Sequence, residues 1–332
     1  MLSFFVIWPL RLVTWLLALV GIAALVLAAM VLSPLPKPAV NRDIAASARA
    51  LAGDELPALG RFQARDGTEL AYRLYPSIEA GADTIAILIH GSAGSSVVMN
   101  RLAETLADEG VPVVAPDIRG HGASGERGDI GYIGQLEDDL DDLVASLRAY
   151  YPDARLVLVG HSSGGGFALR VAASPSGDQF ARFVLLAPYL GPFAPTTRPV
   201  DGDDVWAYPD IPRIVALDLL RDYGFPCCES LPALAFALPP EQAPDATLRY
   251  SYRLMENFGA PKDTETAFAD AAAPIAVLAG TDDTLIDADG FAQVVGGAEP
   301  PVALDILPGI GHMDILSDPA ALDRVVTAVK AR

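Results

Sequence analysis

The chain has 332 residues, of which 52% are hydrophobic, and it carries a formal net charge of −19 at pH 7. A chain this acidic lacks the basic surface that binds nucleic acid or docks electrostatically on anionic lipid. We therefore exclude nucleic acid and electrostatically bound anionic lipid as partners. Much of the hydrophobic excess lies at the amino-terminal end, and the remainder has the composition of a globular chain that could hold one large domain or two ordinary ones.

Residues 1–32 form an apolar segment, and residues 12–32 contain no charged side chain. About 20 such residues cross a bilayer as a helix, whereas a cleaved signal peptide has an apolar core of only about 7 to 15. Trp8 and Trp15 flank Arg11 as interfacial residues do. The segment predicts a single-pass membrane anchor, with signal-peptide cleavage and burial as a core helix as the alternatives. Basic residues lie on both sides, so the orientation stays open.

The proline-rich residues 33–38 cannot continue a helix, and the alanine-rich stretch after them completes a predicted linker over residues 33–59. We expect this linker to carry the chain away from the membrane. Beyond it, β-forming runs at 61–64 and 69–75 flank an Asp-Gly pair, which is typical of a β-hairpin. The hairpin should add an antiparallel edge to the sheet that follows.

Strands and helices then alternate along the chain. The predicted strands are 84–90, 111–118, 155–160, 183–187, 275–279 and 302–307, and the predicted helices are 97–109, 133–150, 163–173 and 318–330. This alternation is typical of an α/β fold with a mostly parallel, doubly wound sheet. The core is predicted in two parts, residues 60–188 and 263–332.

The alternation stops over residues 189–262, which are rich in proline and aromatic side chains. Helical pieces are predicted near 211–223 and 247–258. We expect this insertion after the sixth strand to form a cap over the active site rather than sheet.

The sequence Gly160-His161-Ser162-Ser163-Gly164 lies between a predicted strand and a predicted helix. In a nucleophile elbow of the form G-x-S-x-G, the serine occupies a sharp strand-to-helix turn, and small flanking residues let the backbone bend. An ordinary glycine-rich turn is the alternative. The strand, turn and helix together favour Ser162 as a catalytic nucleophile.

A serine nucleophile needs a histidine base that is oriented by a carboxylate. His312 is the only histidine after the elbow, and it follows a predicted strand in a flexible run, so we predict that it is the base. The acid should leave the end of the preceding strand, where two aspartates stand. We choose Asp283, with Asp282 as the close alternative and Asp287 as a distant third.

A tetrahedral intermediate also needs backbone N–H groups directed at its oxyanion. We predict one from Ser163, directly after the nucleophile, and one from Ser92, in the loop after the third strand. His90, which precedes this loop, is interpreted as a structural hydrogen-bonding residue.

Cys227 and Cys228 are adjacent, so they cannot link distant segments, and no cysteine–histidine cluster has zinc-ligand spacing. We interpret the two cysteines as packing residues, with a vicinal redox pair as the alternative. The sequence predicts no metal or cofactor.

Five motifs occur in order along the chain. They are His90-Gly91-Ser92, the run Asp-Ile-Arg-Gly-His-Gly-Ala-Ser at 117–124, the elbow at 160–164, Gly280-Thr281-Asp282-Asp283 and Gly311-His312. Over residues 61–332 the chain resembles the α/β-hydrolase superfamily, and more narrowly its monoglyceride lipase and lysophospholipase-like branch, sometimes grouped with the serine aminopeptidases. The resemblance implies an α/β-hydrolase fold in which Ser162 is the nucleophile, Asp283 the acid and His312 the base. It also implies that the amides of Ser92 and Ser163 form the oxyanion hole.

The sequence thus predicts a membrane-anchored serine hydrolase of carboxylic esters, with a lipid-like ester such as a monoacylglycerol or lysophospholipid favoured by the apolar cap and the anchor. A serine aminopeptidase or amidase with the same triad is one alternative. Relatives of that kind carry an oxyanion loop similar to His-Gly-Gly-Pro-Gly, whereas this chain has His-Gly-Ser-Ala-Gly at 90–94. A non-catalytic binding module on the same fold is the other, and it would be expected to lack a triad member. Acyl length, head group and oligomeric state stay open.

Overall fold

The computed structural model describes residues 2–38, 51, 55–77, 83–199, 205–238, 246–298 and 301–331. Its strands are β1 (Leu59–Gln63), β2 (Glu69–Tyr75), β3 (Thr84–Ile89), β4 (Val113–Pro116), β5 (Arg155–His161), β6 (Arg182–Leu186), β7 (Ala207–Pro209), β8 (Pro232–Phe236), β9 (Arg249–Ser251), β10 (Ile275–Gly280) and β11 (Ala303–Leu307). Eight of them form one sheet in the order β1-β2-β4-β3-β5-β6-β10-β11.

The sheet is parallel from β4 to β11, and the β1–β2 and β2–β4 pairs are antiparallel. The predicted parallel sheet with an antiparallel edge is thereby confirmed. Strands β3, β5, β6 and β10 are buried along almost their whole length, as continuous apolar runs require when helices cover both faces of a sheet.

The helices agree with the predicted alternation, with small shifts at their ends. They are α1 (Leu2–Val31), α2 (Asn100–Asp108), α3 (Gln135–Arg148), α4 (Ser163–Ala172), α5 (Ile211–Asp222), α6 (Tyr252–Asn257), α7 (Thr264–Ala269), α8 (Phe291–Val295) and α9 (Pro319–Lys330). The helix predicted from residue 97 begins as a 3₁₀ turn over Ser96–Met99, and Ser95 caps that turn by accepting a hydrogen bond from the amide of Val97. Regular α-helix starts only at Asn100.

The chain between β6 and β10, which we call the insertion, contains a second sheet of three short antiparallel strands in the order β7-β8-β9. The expectation that this segment holds no sheet is wrong, and Arg249–Ser251, predicted as helix, form β9. Strands β7 and β8 pair with each other although the whole of α5 lies between them in the sequence. Because these partners are distant in sequence and only three to five residues long, no local hairpin pattern marked them.

Helix α1 contains one stretch, Arg11–Val31, that is long and apolar enough to cross a membrane. An amino-terminal signal sequence passes the same test, so α1 is a candidate anchor. Residues 11–26 are exposed, whereas Leu27, Met30 and Val31 contact the insertion.

The chain after α1 has no regular secondary structure over residues 33–38, as its prolines predict. The hydroxyl of Ser33 donates a hydrogen bond of 2.6 Å to Oδ1 of Asp210 in the insertion. The predicted linker therefore does not separate α1 from the rest of the protein. Its residues 39–50 and 52–54 lie outside the described residues.

Cys227 and Cys228 lie between α5 and β8, and both are exposed. The interpretation of these cysteines as packing residues is therefore wrong. Their Sγ atoms are 3.2 Å apart, and Cys228 has a positive φ of 61°.

Candidate active site

Ser162 lies in the turn between β5 and α4 with φ 53° and ψ −120°. A positive φ is costly for a residue that carries a Cβ atom, and such strain concentrates at functional sites. The turn is tight, because a Cβ atom on Gly160 would lie 2.1 Å from the carbonyl oxygen of Gly164, and one on Gly164 would lie 2.4 Å from that of His90. Glycine is required at both positions, and the turn has the geometry of a nucleophile elbow.

Ser163 is the first residue of α4. The first N–H groups of a helix have no intrahelical acceptor and carry a partial positive charge. The carbonyl of Ser162 accepts hydrogen bonds from the amides of Gly165 and Gly166, at 2.9 and 3.1 Å, which start the helix immediately after the turn. The amide of Ser163 therefore belongs to the positive end of α4, next to the serine side chain.

The loop after β3 passes directly against the elbow. A Cβ atom on Gly91 would lie 3.1 Å from Cβ of Ser162. The next residue along this loop is Ser92, so its backbone is close to the elbow as well. The two predicted oxyanion residues thus adjoin the two segments that meet at this turn, since Ser92 follows Gly91 and Ser163 follows Ser162.

The insertion holds this loop through three hydrogen bonds. The amide of Ala93 donates to Oη of Tyr250 at 2.7 Å, and the carbonyl of Ala93 accepts from the amide of Thr247 at 3.0 Å. In addition, Nε1 of Trp206 donates to Oγ of Ser92 at 3.2 Å. These three insertion residues were not singled out from the sequence, because nothing in a local pattern connects them to a loop more than a hundred residues away.

His312 and Asp283 are paired. Nδ1 of His312 lies 2.7 Å from Oδ2 of Asp283, and the Asp283 side chain is almost fully buried. The other carboxylate oxygen, Oδ1, accepts hydrogen bonds from the amides of Leu285 and Ile286, both at 2.8 Å. Both oxygens of Asp283 are thus occupied, which fixes the orientation of the carboxylate and, through it, that of the imidazole ring.

The pKa of Asp283 is lowered from its ordinary value. Burial alone would raise this pKa, but the hydrogen bond and charge of His312, together with the amides of Ile286 and Leu285, favour the ionised form more strongly. An ionised carboxylate can only accept, so Nδ1 of His312 carries the proton and Nε2 is left as the basic nitrogen.

The two other aspartates considered for the acid lie elsewhere. Asp282 is exposed, and its Oδ1 accepts a hydrogen bond from the hydroxyl of Thr281 at 2.9 Å. Asp287 forms an ion pair with Arg198, with 3.4 Å between Oδ1 and Nη2. The structure therefore brings Asp283, and neither of these two, to the ring of His312.

His161 is a site residue that the sequence did not indicate. It ends β5, directly before Ser162, and its Nε2 donates to the backbone carbonyl of His312 at 3.0 Å. The two rings lie 4.8 Å apart between centroids. Burial, together with the neighbouring His312, lowers the pKa of His161 to about 3, so its ring is neutral. His161 thus positions the backbone of His312 beside the elbow.

The remaining two histidines are buried and hydrogen bonded. Nδ1 of His90 bonds to the carbonyl of Gly91 at 2.8 Å, and its Nε2 accepts from the amide of Ile118 at 3.2 Å. Nε2 of His121 lies 2.5 Å from Oη of Tyr250. Burial lowers the pKa of both rings, so both are neutral. They connect the loop after β3 to the insertion.

The arrangement offers the parts of acyl transfer: a serine on an elbow, an imidazole oriented by a carboxylate, and backbone amides beside the serine. Among the residues that the structure describes, no group of three or more histidine, cysteine, aspartate or glutamate side chains is placed to hold a metal ion.

The chain is similar in sequence to known hydrolases. The family described as serine aminopeptidase, S33, matches residues 80–205. A monoacylglycerol lipase of Mycolicibacterium smegmatis is 25% identical over 256 residues, which cover 71% of this chain and 82% of that protein. An uncharacterised protein of Mycobacterium tuberculosis is 25% identical over 295 residues, which cover 82% of this chain and 81% of the other.

Solved structures show the same fold. A soluble variant of the monoglyceride lipase from Saccharomyces cerevisiae, crystallised with a substrate analogue, has a TM-score of 0.63 at 18% identity and covers 89% of this chain and 96% of its own. An N-formylmaleamic acid deformylase from Pseudomonas putida has a TM-score of 0.55 at 22% identity, with coverage of 82% and 100%.

The sheet order, the elbow and these comparisons define a serine hydrolase with the α/β-hydrolase fold. The chain is similar in sequence to the serine aminopeptidase family, S33, and to a monoacylglycerol lipase, and it shares the fold of a monoglyceride lipase. The resemblance inferred from the sequence motifs is confirmed.

The tight turn at the elbow predicts that the free energy of unfolding depends strongly on its two glycines. Gly160→Ala should lower the free energy of unfolding by about 3 kcal/mol, because the added Cβ atom would collide with backbone rather than with a flexible side chain. Gly297→Ala is the matched control, since no atom lies within 4 Å of its Cβ position, and it should change stability by less than about 0.5 kcal/mol. Urea denaturation of the detergent-solubilised chain measures both. Equal effects of the two substitutions would contradict the steric argument.

The lowered pKa of Asp283 predicts a pH-dependent contribution to stability. Since the folded-state pKa lies below that of the unfolded chain, this contribution is complete above the unfolded pKa and is lost as the pH falls through the folded one. The gap in unfolding free energy between wild type and Asp283→Asn should therefore stay constant above about pH 5 and narrow as the pH falls from about 5 to about 2. Denaturation curves across this range measure the gap, with Asp282→Asn as the exposed neighbouring control. A constant gap would mean that His312 and the two amides do not favour the ionised carboxylate.

Proposed function

We propose that this protein is a membrane-anchored serine hydrolase that cleaves carboxylic esters of lipid-like molecules through Ser162, His312 and Asp283. The observation that carries the proposal is the buried hydrogen bond between Asp283 and His312. The backbone of His312 is in turn held by His161, the residue directly before Ser162. A histidine with no catalytic part would not need its Nδ1 nitrogen fixed by a buried carboxylate beside a strained serine.

In the proposed mechanism, Nε2 of His312 takes the proton of the Ser162 hydroxyl as the oxygen attacks the ester carbonyl carbon. The imidazolium that forms is stabilised by the ionised Asp283. The same ring then gives its proton to the departing alcohol, which leaves an acyl group on Ser162. Water, deprotonated by His312 in turn, releases the acid and restores the serine.

The oxyanion of the tetrahedral intermediate is assigned to the amides of Ser92 and Ser163. The Ser163 amide lies at the positive end of α4, where a developing negative charge is favoured. In the loop after β3, the amide of Ala93 is taken by Tyr250 and that of Gly94 donates to Gly91 at 3.2 Å, so the geometry favours Ser92 as the second donor.

Three features support a lipid-like ester as the substrate. The insertion places Trp206 and Tyr250 on the loop of Ser92, so that aromatic side chains border the site. Helix α1 offers a candidate anchor. Relatives in sequence and in structure include a monoacylglycerol lipase and a monoglyceride lipase. The insertion then acts as the predicted cap, with residues 189–262 over a core formed by 60–188 and 263–332.

An amidase or aminopeptidase with the same triad is the second candidate, since the matching family is described as serine aminopeptidase and one structural relative is a deformylase. A p-nitrophenyl ester series from acetate to palmitate, run beside aminoacyl p-nitroanilides, separates the two. Faster turnover of the anilides, compared as kcat/KM, would favour the second candidate.

The triad predicts a loss of activity at each of its three members, with a smaller loss at the acid than at the serine and the histidine. Ser162→Ala and His312→Ala should each abolish labelling by a fluorophosphonate probe and lower kcat for p-nitrophenyl esters by about 10⁶. Asp283→Asn should lower kcat by about 10⁴, because the amide cannot stabilise the imidazolium and favours the wrong tautomer.

Asp282→Asn is the matched control for the acid, because it makes the same chemical change at the neighbouring exposed aspartate. It should keep nearly wild-type labelling and turnover. A loss at Asp282 equal to that at Asp283 would contradict the assignment, and a folded wild type that neither labels nor turns over would favour a binding module instead.

The anchor predicts retention of α1 in the mature protein and integral membrane association. The full-length chain should resist alkaline carbonate extraction, and its intact mass should include residues 1–32. Leu16→Arg with Leu19→Arg should release it, since each arginine near the middle of the span costs about 3 kcal/mol of insertion free energy. Leu16→Ala with Leu19→Ala is the control and should stay in the membrane. A mature mass that lacks these residues would identify a cleaved signal peptide.

A further inference from the structure

The loop after β3 contains a strained residue. Ala93 has a φ of 60°, in the left-handed region that favours glycine and that a Cβ atom makes costly. Among the described residues that carry a side chain, three others have a positive φ, and one of these is Ser162. Such strain persists only where the surrounding structure holds the residue firmly, and it concentrates at functional sites.

Ala93 is the third residue of a tight turn over residues 91–94. The amide of Gly94 donates to the carbonyl of Gly91 at 3.2 Å, so Ser92 and Ala93 are the two central residues. A positive φ at Ala93, without one at Ser92, defines a type II turn. Glycine or asparagine is usual at the third position of such a turn. An alanine there favours the type I form, in which the central peptide is turned over and the third residue has a φ of about −90°.

The insertion binds both backbone groups of Ala93. Its amide donates to Oη of Tyr250 at 2.7 Å, and its carbonyl accepts from the amide of Thr247 at 3.0 Å. The N–H and C=O of a trans peptide point in opposite directions. Turning over the central peptide would therefore place the carbonyl of Ser92, instead of the amide of Ala93, against the hydroxyl of Tyr250.

The hydroxyl of Tyr250 is directed so that it accepts from the turn. Nδ1 of His121 lies 3.3 Å from the carbonyl of Arg119, which can only accept, so Nδ1 carries the proton and Nε2 is an acceptor. Nε2 lies 2.5 Å from Oη of Tyr250, so the phenolic hydrogen is donated to the ring. Both side chains are buried. Oη thus presents lone pairs to the turn, which bind an N–H and repel a carbonyl oxygen.

The core holds the turn from its other side. The carbonyl of Gly91 accepts from Nδ1 of His90 at 2.8 Å, since Nε2 of that ring is occupied by the amide of Ile118. The peptide that joins Gly91 to Ser92 is therefore fixed by the core, and the peptide that follows Ser92 is fixed by Tyr250. Ser92 lies between these two peptides.

We propose that Tyr250 is a positioning residue, which holds Ala93 in the left-handed conformation and thereby keeps Ser92 in place for the oxyanion. This inference rests on the proposed function, and it adds that the insertion controls the conformation of the oxyanion loop. Without the hydroxyl of Tyr250, Ala93 relaxes to a negative φ and the central peptide turns over. Ser92 is then held from the core side alone.

The position of an oxyanion donor affects the transition state more than the binding of substrate. Negative charge develops on the carbonyl oxygen only as the serine attacks, so a displaced donor lowers kcat and leaves KM nearly unchanged. Removing such a donor outright lowers kcat by about 10² to 10³. A donor that is present but poorly held should have a smaller effect.

The test compares Tyr250→Phe with Tyr252→Phe in the detergent-solubilised full-length chain. Phenylalanine at 250 keeps a ring against His121 and Phe236 and removes only the hydroxyl. With the p-nitrophenyl ester that wild type hydrolyses fastest, kcat should fall about 30-fold and KM should change less than about twofold. Tyr252→Phe is the matched control, because its hydroxyl donates to Asp218 within the insertion, and it should keep the wild-type kcat.

A glycine in the turn distinguishes positioning from a general defect of the insertion. Glycine adopts a positive φ without the steric penalty of a Cβ atom, so the turn keeps its form without help from Tyr250. When both chains carry Ala93→Gly, the loss of kcat caused by Tyr250→Phe should shrink from about 30-fold to about threefold. An equal loss with and without Ala93→Gly would overturn the positioning role.

An alkyl trifluoromethyl ketone gives a second readout, since its adduct with a serine carries an oxyanion. Its inhibition constant should rise in Tyr250→Phe by about the factor by which kcat falls. A variant with a raised KM, an unchanged kcat and an unchanged inhibition constant would overturn the inference, because Tyr250 would then serve substrate binding alone.

Fluorophosphonate labelling of wild type separates this inference from the proposed function. If wild type labels and turns over while Tyr250→Phe behaves like Tyr252→Phe, the inference is overturned and the hydrolase stands. If folded wild type neither labels nor turns over, the proposed function falls and the inference falls with it.

The double variant decides the outcome if Tyr250→Phe alone does not fold. A folded chain with Tyr250→Phe and Ala93→Gly, whose kcat is within about threefold of that of Ala93→Gly alone, supports the positioning role. A double variant that stays unfolded, or that folds with the full loss of kcat, overturns it.

Discussion

Ser162 has a positive φ because the chain must leave a buried strand and enter a helix within one residue. The turn fits only because Gly160 and Gly164 carry no Cβ atoms, and one of these glycines touches the carbonyl of His90 at the end of the neighbouring strand. The same contact brings the loop after β3 against the serine. The proposed nucleophile and its proposed oxyanion donors are thus placed by one steric constraint, and the hydrogen bonds around them stabilise a geometry that close packing already imposes.

The order of the strands in the sheet accounts for the positions of the other side chains at the proposed site. The parallel strands β3, β5, β10 and β11 all end at the same edge of the sheet, where loops of α/β folds bring distant residues together. Asp283 follows β10 and His312 follows β11, and these strands are neighbours, so the carboxylate and the imidazole meet directly. His161, at the end of β5, spans the remaining distance by binding the backbone of His312.

Local patterns in the sequence were sufficient for the features that depend on neighbouring residues. Continuous apolar runs predict buried parallel strands, and glycines around a serine predict the elbow. Asp282 and Asp283 could not be separated in this way, because a shift of one residue exchanges which side chain points inward. The strands of the insertion, the hydrogen bonds from Arg213 to the carbonyls of Val31 and Ser33, and the bond from His161 to His312 all join residues distant in the chain. No periodicity marks such contacts, and a buried arginine reads in sequence like any polar residue on a helix.

The hydrogen bonds that Trp206, Thr247 and Tyr250 make to the loop of Ser92 and Ala93 have a kinetic consequence. Raising the insertion as a rigid lid would break all three together, at about 1 kcal/mol each, and would leave the hydroxyl of Tyr250 without its amide partner. Rotation of single side chains is faster than hinge motion of a domain by orders of magnitude. Under the proposed function, a product that departs by rotation of single side chains would leave these three hydrogen bonds intact, and the proposed oxyanion donor Ser92 would stay in place from one turnover to the next.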